Sequence, residues 1–322
     1  GATRAVSGLG NHRTSHGFDA DVAIIDSGIS KQHPDVTPRG GKDCSTSGTW
    51  SDGYGHGTGV ASILGAKDNK QGIVGLLPGV RLWSVRIFDS KGRGSVSGVL
   101  CALDWIASKR DPKHKDRPFF EGGTMSFAVI MSGRDPSTKP CGQGPRDAIH
   151  TAVCRVVGQG TILVAAAGNY GDPAKQRAPA AYPEVITVSA MADFDGKPGG
   201  KGRQLQACLA GSAPEHDDRF ASFSSYGTGV DLIAPGKCIW VAFPGRTYAR
   251  VTGTSFAAPM VLGAALLYRQ RYPHAKPNQV RMALIHAGRK DWKLWSDPDR
   301  HHEPRVDVRH FRPPPTFRFA SQ

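Results

Sequence analysis

The chain has 322 residues, of which 39% are hydrophobic and 40 are glycine. No apolar run approaches the roughly eighteen residues that a membrane-spanning helix needs, so we expect no membrane span. The 41 basic and 27 acidic residues give a net charge of +14, and the basic residues cluster in loops. No pattern of interleaved aromatic and basic residues is present, so the charge favours solvated surfaces and we expect no nucleic-acid partner.

Along the chain, short apolar runs that indicate strands alternate with longer segments of helical character. The predicted strands are residues 22–25, 81–86, 123–127, 162–166, 185–189 and 231–233. The predicted helices are residues 56–64, 96–108, 146–158, 255–272 and 277–287. This alternation predicts a three-layer α/β fold, with a mostly parallel central sheet and helices on both faces.

Three distant segments supply an acid, a base and a nucleophile in the order Asp26, His56, Ser255. Asp26 ends the first predicted strand, at the carboxyl edge where open α/β sheets build their sites. His56 follows a glycine-rich turn, and Ser255 begins a predicted helix, whose N-terminus favours developing negative charge. Taken alone, Asp26 and Ser255 are more typical of a turn or a helix cap. A single histidine such as His56 is more often a surface residue or a hydrogen-bonded core residue. Their order and flanking glycines together favour a catalytic triad.

An amide donor is predicted at Asn169. Residues 161–167 form an apolar run typical of a central strand, and Gly168 allows the backbone to turn at its carboxyl end. Asn169 is also compatible with an ordinary turn. Beside a triad, its amide can donate to an oxyanion that the backbone N–H of Ser255 also contacts.

The motifs that carry these residues resemble those of the subtilisin-like serine peptidases over roughly residues 20 to 290. The matching segments are Asp26-Ser27-Gly28-Ile29, His33-Pro34-Asp35, Gly55-His56-Gly57-Thr58, Ala165-Ala166-Ala167-Gly168-Asn169 and Gly253-Thr254-Ser255-Phe256-Ala257-Ala258-Pro259. The resemblance implies the triad Asp26, His56 and Ser255, with Asn169 in the oxyanion hole. It also implies polypeptide substrates and an inhibitory pro-segment that is removed by self-cleavage. The chain begins with Gly1 and shows no signal-peptide pattern, so we expect a mature form or an artificially trimmed chain.

One site that needs both Asp26 and Ser255 predicts a single peptidase domain over residues 1–322. A polar, glycine-rich stretch at about 191–219 interrupts the family pattern and is interpreted as a surface insertion held by Cys208. Residues from about 289 to 322 lack periodicity and are interpreted as a C-terminal extension, packed on the surface or partly mobile. We expect a monomer.

The resemblance also implies a cleft in which a peptide adds as an extended strand. The residues that match its walls are Gly92, Gly94, Val96, Ser126, Phe127, Ala128, Ala166, Ala167 and Gly168. Arg177 matches a position near the base of the primary pocket. If it points inward, an acidic P1 residue is favoured by charge-assisted hydrogen bonds; if it points to solvent, the P1 preference is broad and apolar.

The loop after the His56 helix resembles the calcium loop of the family. Its possible oxygen ligands are Asp35, Lys67, Asn69, Gln71 and Ile73, with side-chain oxygens from Asp35 and Asn69 and backbone carbonyls from the other three. The two lysines of the loop, Lys67 and Lys70, make an ordinary polar turn the alternative.

Six cysteines occur without a C-x-x-C pair, which argues against a zinc site. Six cysteines allow fifteen pairings. We favour Cys141–Cys154 and Cys208–Cys238, which leaves Cys44–Cys101; buried free thiols are the alternative. Disulfides indicate an oxidising compartment, and we expect a secreted protein.

These observations favour a secreted serine endopeptidase that works through an acyl-enzyme intermediate. A catalytically silent binding or adhesion module on a peptidase fold stays open, because the sequence does not show whether the geometry forms. A lipase or esterase is disfavoured, since that class needs a G-x-S-x-G elbow with the histidine last in the chain order.

Overall fold

A computed structural model describes residues 18–112, 117–130, 138–144, 147–204, 208, 214–292, 296–309 and 311. The main sheet contains β1 (Asp21–Asp26), β2 (Pro38–Asp43), β3 (Arg81–Arg86), β4 (Gly122–Met125), β6 (Ile162–Ala166), β8 (Ile186–Ala192), β9 (Arg219–Phe220) and β10 (Leu232–Pro235). Short pairs form from β5 (Val129–Ile130) with β7 (Arg177–Ala178), and from β11 (Ile239–Phe243) with β12 (Thr247–Val251).

The main sheet has the strand order β10-β8-β6-β4-β1-β3-β2, and every pair along this path is parallel. Strand β9 adds to β8 in the antiparallel direction. The predicted α/β class with a mostly parallel sheet is therefore confirmed. Because β1 lies between β3 and β4, Asp26 at its carboxyl end lies in the interior of the sheet and not at an edge.

Among the described residues, five helices cover the sheet: α1 (His56–Gly65), α2 (Val96–Ser108), α3 (Ala148–Gly158), α4 (Thr254–Arg271) and α5 (Pro277–Ala287). Alternate residues of β1 point to opposite faces, as the period of two in a strand requires. Val22 and Ile24 pack in a core with α1, α4 and α5. Ala23 and Ile25 pack in a second core with α2 and α3. These two cores give the predicted three layers.

The predicted helix at 146–158 begins at Ala148, because Asp147 accepts a hydrogen bond from the backbone N–H of His150 at 2.9 Å and caps the first turn. Ser95 caps α2 in the same way through the N–H of Gly98, at 3.1 Å. The other helix bounds differ from the prediction by at most one residue at either end.

The C-terminal segment covers the β10 edge of the sheet. Ile233 donates to the carbonyl of Pro304 at 3.1 Å, and Val306 donates to the carbonyl of Ile233 at 3.0 Å. Trp292 is buried beside β9, against Phe220. An exposed strand edge invites pairing with other chains, so this segment protects the sheet. The parts of the predicted extension at 293–295, 310 and 312–322 lie outside the described residues.

All three favoured disulfides form. Cys44–Cys101, Cys141–Cys154 and Cys208–Cys238 have Cα–Cα distances of 5.7, 5.8 and 5.5 Å, within the range that a disulfide spans. Cys208 joins the insertion to the segment that follows β10, as the sequence predicted; residues 205–207 and 209–213 of the insertion lie outside the described part. None of the described helices has the length and apolar character needed to cross a bilayer.

Candidate active site

Asp26 is fully buried at the end of β1, and its carboxylate faces the ring of His56. Its two oxygens lie 2.8 and 2.9 Å from Nδ1 of His56. The backbone N–H of Ser27 donates to Oδ1 of Asp26 at 2.7 Å. A carboxylate held in this way fixes the imidazole tautomer with the proton on Nδ1 and leaves Nε2 as the basic nitrogen.

His56 is the first residue of α1, and its side chain is 25% exposed. The preceding Gly55 has a φ of 107°, a left-handed conformation that lets the chain turn sharply into the helix. The ring of Phe256 packs against the imidazole with 5.1 Å between centroids. Burial lowers the pKa of His56, but the charge and hydrogen bond of Asp26, with the charge of Asp52, outweigh it and raise the pKa above 6.5.

Asp52 organises the turn that leads to His56, and the motif analysis missed it. Its Oδ1 accepts from Ser27 Oγ at 2.9 Å and from the N–H of Gly55 at 2.8 Å. Its Oδ2 accepts from the N–H and hydroxyl of Thr58, at 3.0 and 2.5 Å. One carboxylate therefore ties the end of β1 to the start of α1. Its position four residues before His56 was the available signal, but Asp in a Gly-rich turn is common.

Ser255 is the second residue of α4 and is 7% exposed. Its hydroxyl donates to the carbonyl of Ser126 at 3.2 Å, and the hydroxyl of Ser126 donates to the carbonyl of Ser255 at 3.0 Å. Ser255 and His56 line the same cleft, but no hydrogen bond joins the Ser255 hydroxyl to the imidazole in this arrangement.

Asn169 follows β6 and lines the same cleft as Ser255. Its Oδ1 accepts from the N–H and hydroxyl of Thr254, at 2.8 and 2.9 Å. Because the oxygen is held by Thr254, the amide nitrogen is left to donate to a ligand. Gly168 has a φ of 118°, and a Cβ there would lie 2.8 Å from Oγ of Ser225. Only glycine fits this corner, which places Asn169 beside the nucleophile helix.

The cleft has a volume of about 370 Å³. Six of the predicted wall residues line it: Gly92, Ser126, Phe127, Ala128, Ala166 and Gly168. Three predicted wall residues, Gly94, Val96 and Ala167, do not. The cleft is also lined by Tyr54, Phe88, Tyr170 and Thr254, which the sequence did not assign to its walls. Three of these four are aromatic. Aromatic residues are common in any sequence, so a single sequence does not show which of them line a cleft.

Arg177 does not line the cleft. Its Nη2 lies 2.7 Å from a carboxylate oxygen of Asp172, and the ring of Tyr170 covers the guanidinium at 4.0 Å. The Arg177 side chain is 11% exposed. It therefore takes neither of the two predicted orientations, since it is paired with Asp172 beneath Tyr170.

The five predicted calcium ligands, Asp35, Lys67, Asn69, Gln71 and Ile73, lie in and against the loop after α1. Asp35 is fully buried, and its Oδ1 accepts from the amide of Asn69 at 3.1 Å. Its Oδ2 accepts from the N–H of Ile73 at 3.1 Å and from the hydroxyl of Tyr248 at 2.7 Å. The ammonium of Lys67 donates to the nearby carbonyl of Pro34 at 3.2 Å. These hydrogen bonds close the loop in this structure, and calcium binding by these five residues stays a prediction.

The sequence profile of the subtilase family of peptidases matches residues 18–300. The chain belongs to the subtilase family. It is 31% identical to subtilisin DY of Bacillus licheniformis over 272 residues, 83% of each chain. It is 31% identical to subtilisin BL of Lederbergia lenta over 285 residues, 88% of each chain. A crystal structure of a cold-adapted subtilisin-like serine proteinase superposes with a TM-score of 0.67 at 25% identity, covering 91% of this subtilase and 89% of that chain.

The predicted family and enzyme class are therefore confirmed. The protein is a subtilisin-like serine endopeptidase, and its substrates are polypeptides. Its disulfides fit an extracellular protein. The described residues also contain a buried acidic cluster, away from the Asp35 loop, that could bind a metal ion.

Proposed function

We propose that this peptidase cleaves peptide bonds through Asp26, His56 and Ser255 and an acyl-enzyme intermediate. The observation that carries the proposal is the paired contact of Nδ1 of His56 with both oxygens of Asp26, at 2.8 and 2.9 Å, in the cleft that Ser255 and Asn169 also line. A buried carboxylate, an oriented imidazole and a hydroxyl at a helix N-terminus are the parts that acyl transfer needs.

The reaction begins when the hydroxyl of Ser255 leaves the carbonyl of Ser126 and turns toward Nε2 of His56. Catalytic hydrogen bonds often form fully only with substrate bound. His56 takes the proton as Oγ attacks the scissile carbonyl, and Asp26 stabilises the imidazolium that results. His56 then gives this proton to the leaving amine. A water molecule, activated by the same imidazole, releases the acyl group from Ser255.

The negative oxygen of the tetrahedral intermediate is stabilised by the amide of Asn169 and the backbone N–H of Ser255. Thr254 holds Oδ1 of Asn169, so the amide need not reorganise when charge develops. The start of α4 adds the positive end of an 18-residue helix. Preorganised donors of this kind contribute most where the site excludes water.

Substrates bind as an extended strand, and we infer that the P1 residue is apolar. Two observations support this inference: aromatic side chains, Phe127 among them, line the cleft, and Arg177 is paired with Asp172. A P1 peptide library checks it, with Leu and Phe cleaved faster than Glu or Asp. Faster cleavage after Glu would show that Arg177 is released into the pocket.

We also infer a single catalytic domain that is secreted, is made with an inhibitory pro-segment and works as a monomer. The disulfides and the family support the extracellular location. The alternative is a catalytically silent binding module, and the missing hydrogen bond between Ser255 and His56 is the observation that favours it.

Labelling with a fluorophosphonate and mapping of the labelled peptide distinguishes the two. We expect label on Ser255, with none in Ser255→Ala and very little in His56→Ala. Ser108→Ala, at the exposed end of α2, is the matched control and keeps full labelling. A folded protein that takes no label at Ser255 is the binding module.

A further inference from the structure

The insertion between β8 and β9 brings three carboxylates together at its neck. The antiparallel pair matches Met191 with Phe220 and Ala192 with Arg219. The next residues on the two chains are Asp193 and Asp218, so the register sets two acidic side chains opposite each other. Asp217 joins them, and one carboxylate oxygen from each lies within 4.8 Å of the others. Like charges that face each other across a strand pair are destabilising.

Burial makes this repulsion stronger. Asp217 is 3% exposed and Asp218 is 1% exposed. Within the part of the chain that the structure describes, no lysine or arginine forms an ion pair with any of the three. Charges that are buried without a cation are strongly disfavoured.

One buried oxygen in the cluster accepts no hydrogen bond. Oδ1 of Asp218 is buried and accepts no hydrogen bond. Its other oxygen accepts from the N–H groups of Gly199 and Gly200, at 2.6 and 2.8 Å. The chain therefore wraps around this carboxylate, orients it, and leaves one oxygen unsatisfied in the interior. Buried polar atoms are almost always paired, so an unpaired one points to an absent ligand.

The two other carboxylates are oriented in the same manner. Asp217 accepts from the N–H of Phe194 at 2.7 Å and from that of Gly202 at 2.8 Å. Asp193 accepts from the N–H of Gly196 at 2.6 Å. These bonds fix the side chains but leave lone pairs on every carboxylate, since each oxygen has two.

We propose that Asp193, Asp217 and Asp218 bind a calcium ion that closes the neck of the insertion. All three donors are hard oxygen ligands, which disfavours zinc and other metals that prefer nitrogen or sulfur. Oxygens that surround calcium at about 2.3–2.6 Å lie at most about 5 Å apart, and the cluster meets this limit. Calcium takes six to eight oxygens in flexible geometry, which suits a glycine-rich loop that can add carbonyls and water.

Calcium titration of the full chain tests the proposal. The Ser255→Ala background prevents self-digestion and makes the result independent of catalysis. After treatment with EDTA, Ca²⁺ alone is titrated by calorimetry into this protein and into Asp193→Asn and Asp218→Asn variants. Asparagine tolerates the left-handed backbone of residue 218, where φ is 56°. The matched control is Asp195→Asn, an exposed acid in the same loop.

We expect the number of bound calcium ions to fall by one, or that site to weaken at least tenfold, in Asp193→Asn and Asp218→Asn but not in Asp195→Asn. Thermal melts give a second readout, because the difference in melting temperature between Asp218→Asn and its parent should change sign when Ca²⁺ is added. In EDTA the Asp218→Asn variant melts above its parent because repulsion is relieved, and with millimolar Ca²⁺ it melts below its parent.

Three results overturn the proposal. The first is equal calcium binding in all the variants. The second is a lower melting temperature for Asp218→Asn that is the same with and without Ca²⁺, which indicates a purely structural role. The third is calcium binding that Asp35→Asn abolishes while Asp193→Asn and Asp218→Asn leave it intact, which places the ion at the loop after α1.

Discussion

Glu303 has a carboxyl group that the fold buries completely, and none of the ion pairs among the described residues involves it. Burial is the main cause that raises the pKa of Glu303, from 4.5 to about 8. The charges of Asp297 and Asp299 act in the same direction, whereas the hydrogen bond from the hydroxyl of Ser189 opposes them. The group is therefore neutral in the folded protein at pH 7 and charged in the unfolded chain.

This difference makes stability depend on pH. Between pH 4.5 and about 8 the folded state holds a proton that the unfolded state has lost, so the free energy of unfolding falls as the pH rises. At about 1.4 kcal/mol for each pKa unit, the loss across this window is of the order of 4 kcal/mol. A Glu303→Gln variant stays neutral at every pH and keeps an oxygen that can accept from Ser189, so it avoids this loss.

Urea unfolding of Ser255→Ala and Ser255→Ala/Glu303→Gln proteins at pH 5 and pH 9 measures the effect. From pH 5 to pH 9, we expect the free energy of unfolding of the Glu303→Gln protein to rise by roughly 4 kcal/mol relative to that of its parent. Asp104→Asn, an exposed carboxyl-to-amide change on α2, is the control and leaves the difference near zero. Parallel stability curves for Glu303→Gln and its parent would refute the argument, since they would show that Glu303 is ionised in the folded protein.

Three further predictions concern the site and its support. Because the charge of Asp52 raises the pKa of His56, Asp52→Asn should move the acid limb of the kcat/KM profile to lower pH; an unchanged midpoint contradicts this. Asn169→Ala should lower kcat by about 10²–10³-fold with little change in KM; this magnitude was measured in a subtilisin and is not calculated from this structure. A change in KM as large as the change in kcat would argue against the oxyanion role. Removing the Cys44–Cys101 disulfide, whose cysteines are 57 residues apart, should cost about 4 kcal/mol of unfolding free energy by chain entropy, as measured by denaturation with and without the bond.

Most of the sheet could be predicted because its central strands are buried on both faces and are therefore apolar without interruption. The runs around Ile24, Leu163 and Val188 are of this type, and all three are strands. Two helices also begin at recognisable start signals: Ser95 caps α2, and Pro277 is the first residue of α5.

The edge strand β2 could not be predicted, since its sequence Pro-Arg-Gly-Gly-Lys-Asp contains no apolar side chain. The structure explains the glycines: a Cβ on Gly40 would lie 2.8 Å from the ring of Trp83, and one on Gly41 would lie 2.8 Å from the ring of Trp50. Tertiary packing, and not local preference, determines this strand. The hairpin of β11 and β12 was also missed, although β11 is an apolar run whose Val241 and Ala242 are fully buried; its partner β12, Thr247–Val251, is mostly polar and pairs with β11 alone.

In the site, the motifs gave the candidate catalytic residues but not the groups that hold them in place. Asp52 and Thr254 act through hydrogen bonds to backbone N–H groups and to other side chains. Such roles depend on where the chain folds back, which a single sequence does not show. Arg177 illustrates the same limit, because its orientation depends on Asp172 and Tyr170.

The position of Ser255 on α4, after every strand of the main sheet, has a consequence for synthesis. Chains emerge from the ribosome N-terminus first, so the acid and the base are made long before the hydroxyl that they activate. Helix α4 packs along β4, β6, β8 and β10, and it docks only when those strands have assembled. Under the proposed mechanism, the site therefore stays incomplete in the nascent polypeptide while its own loops are still open to attack.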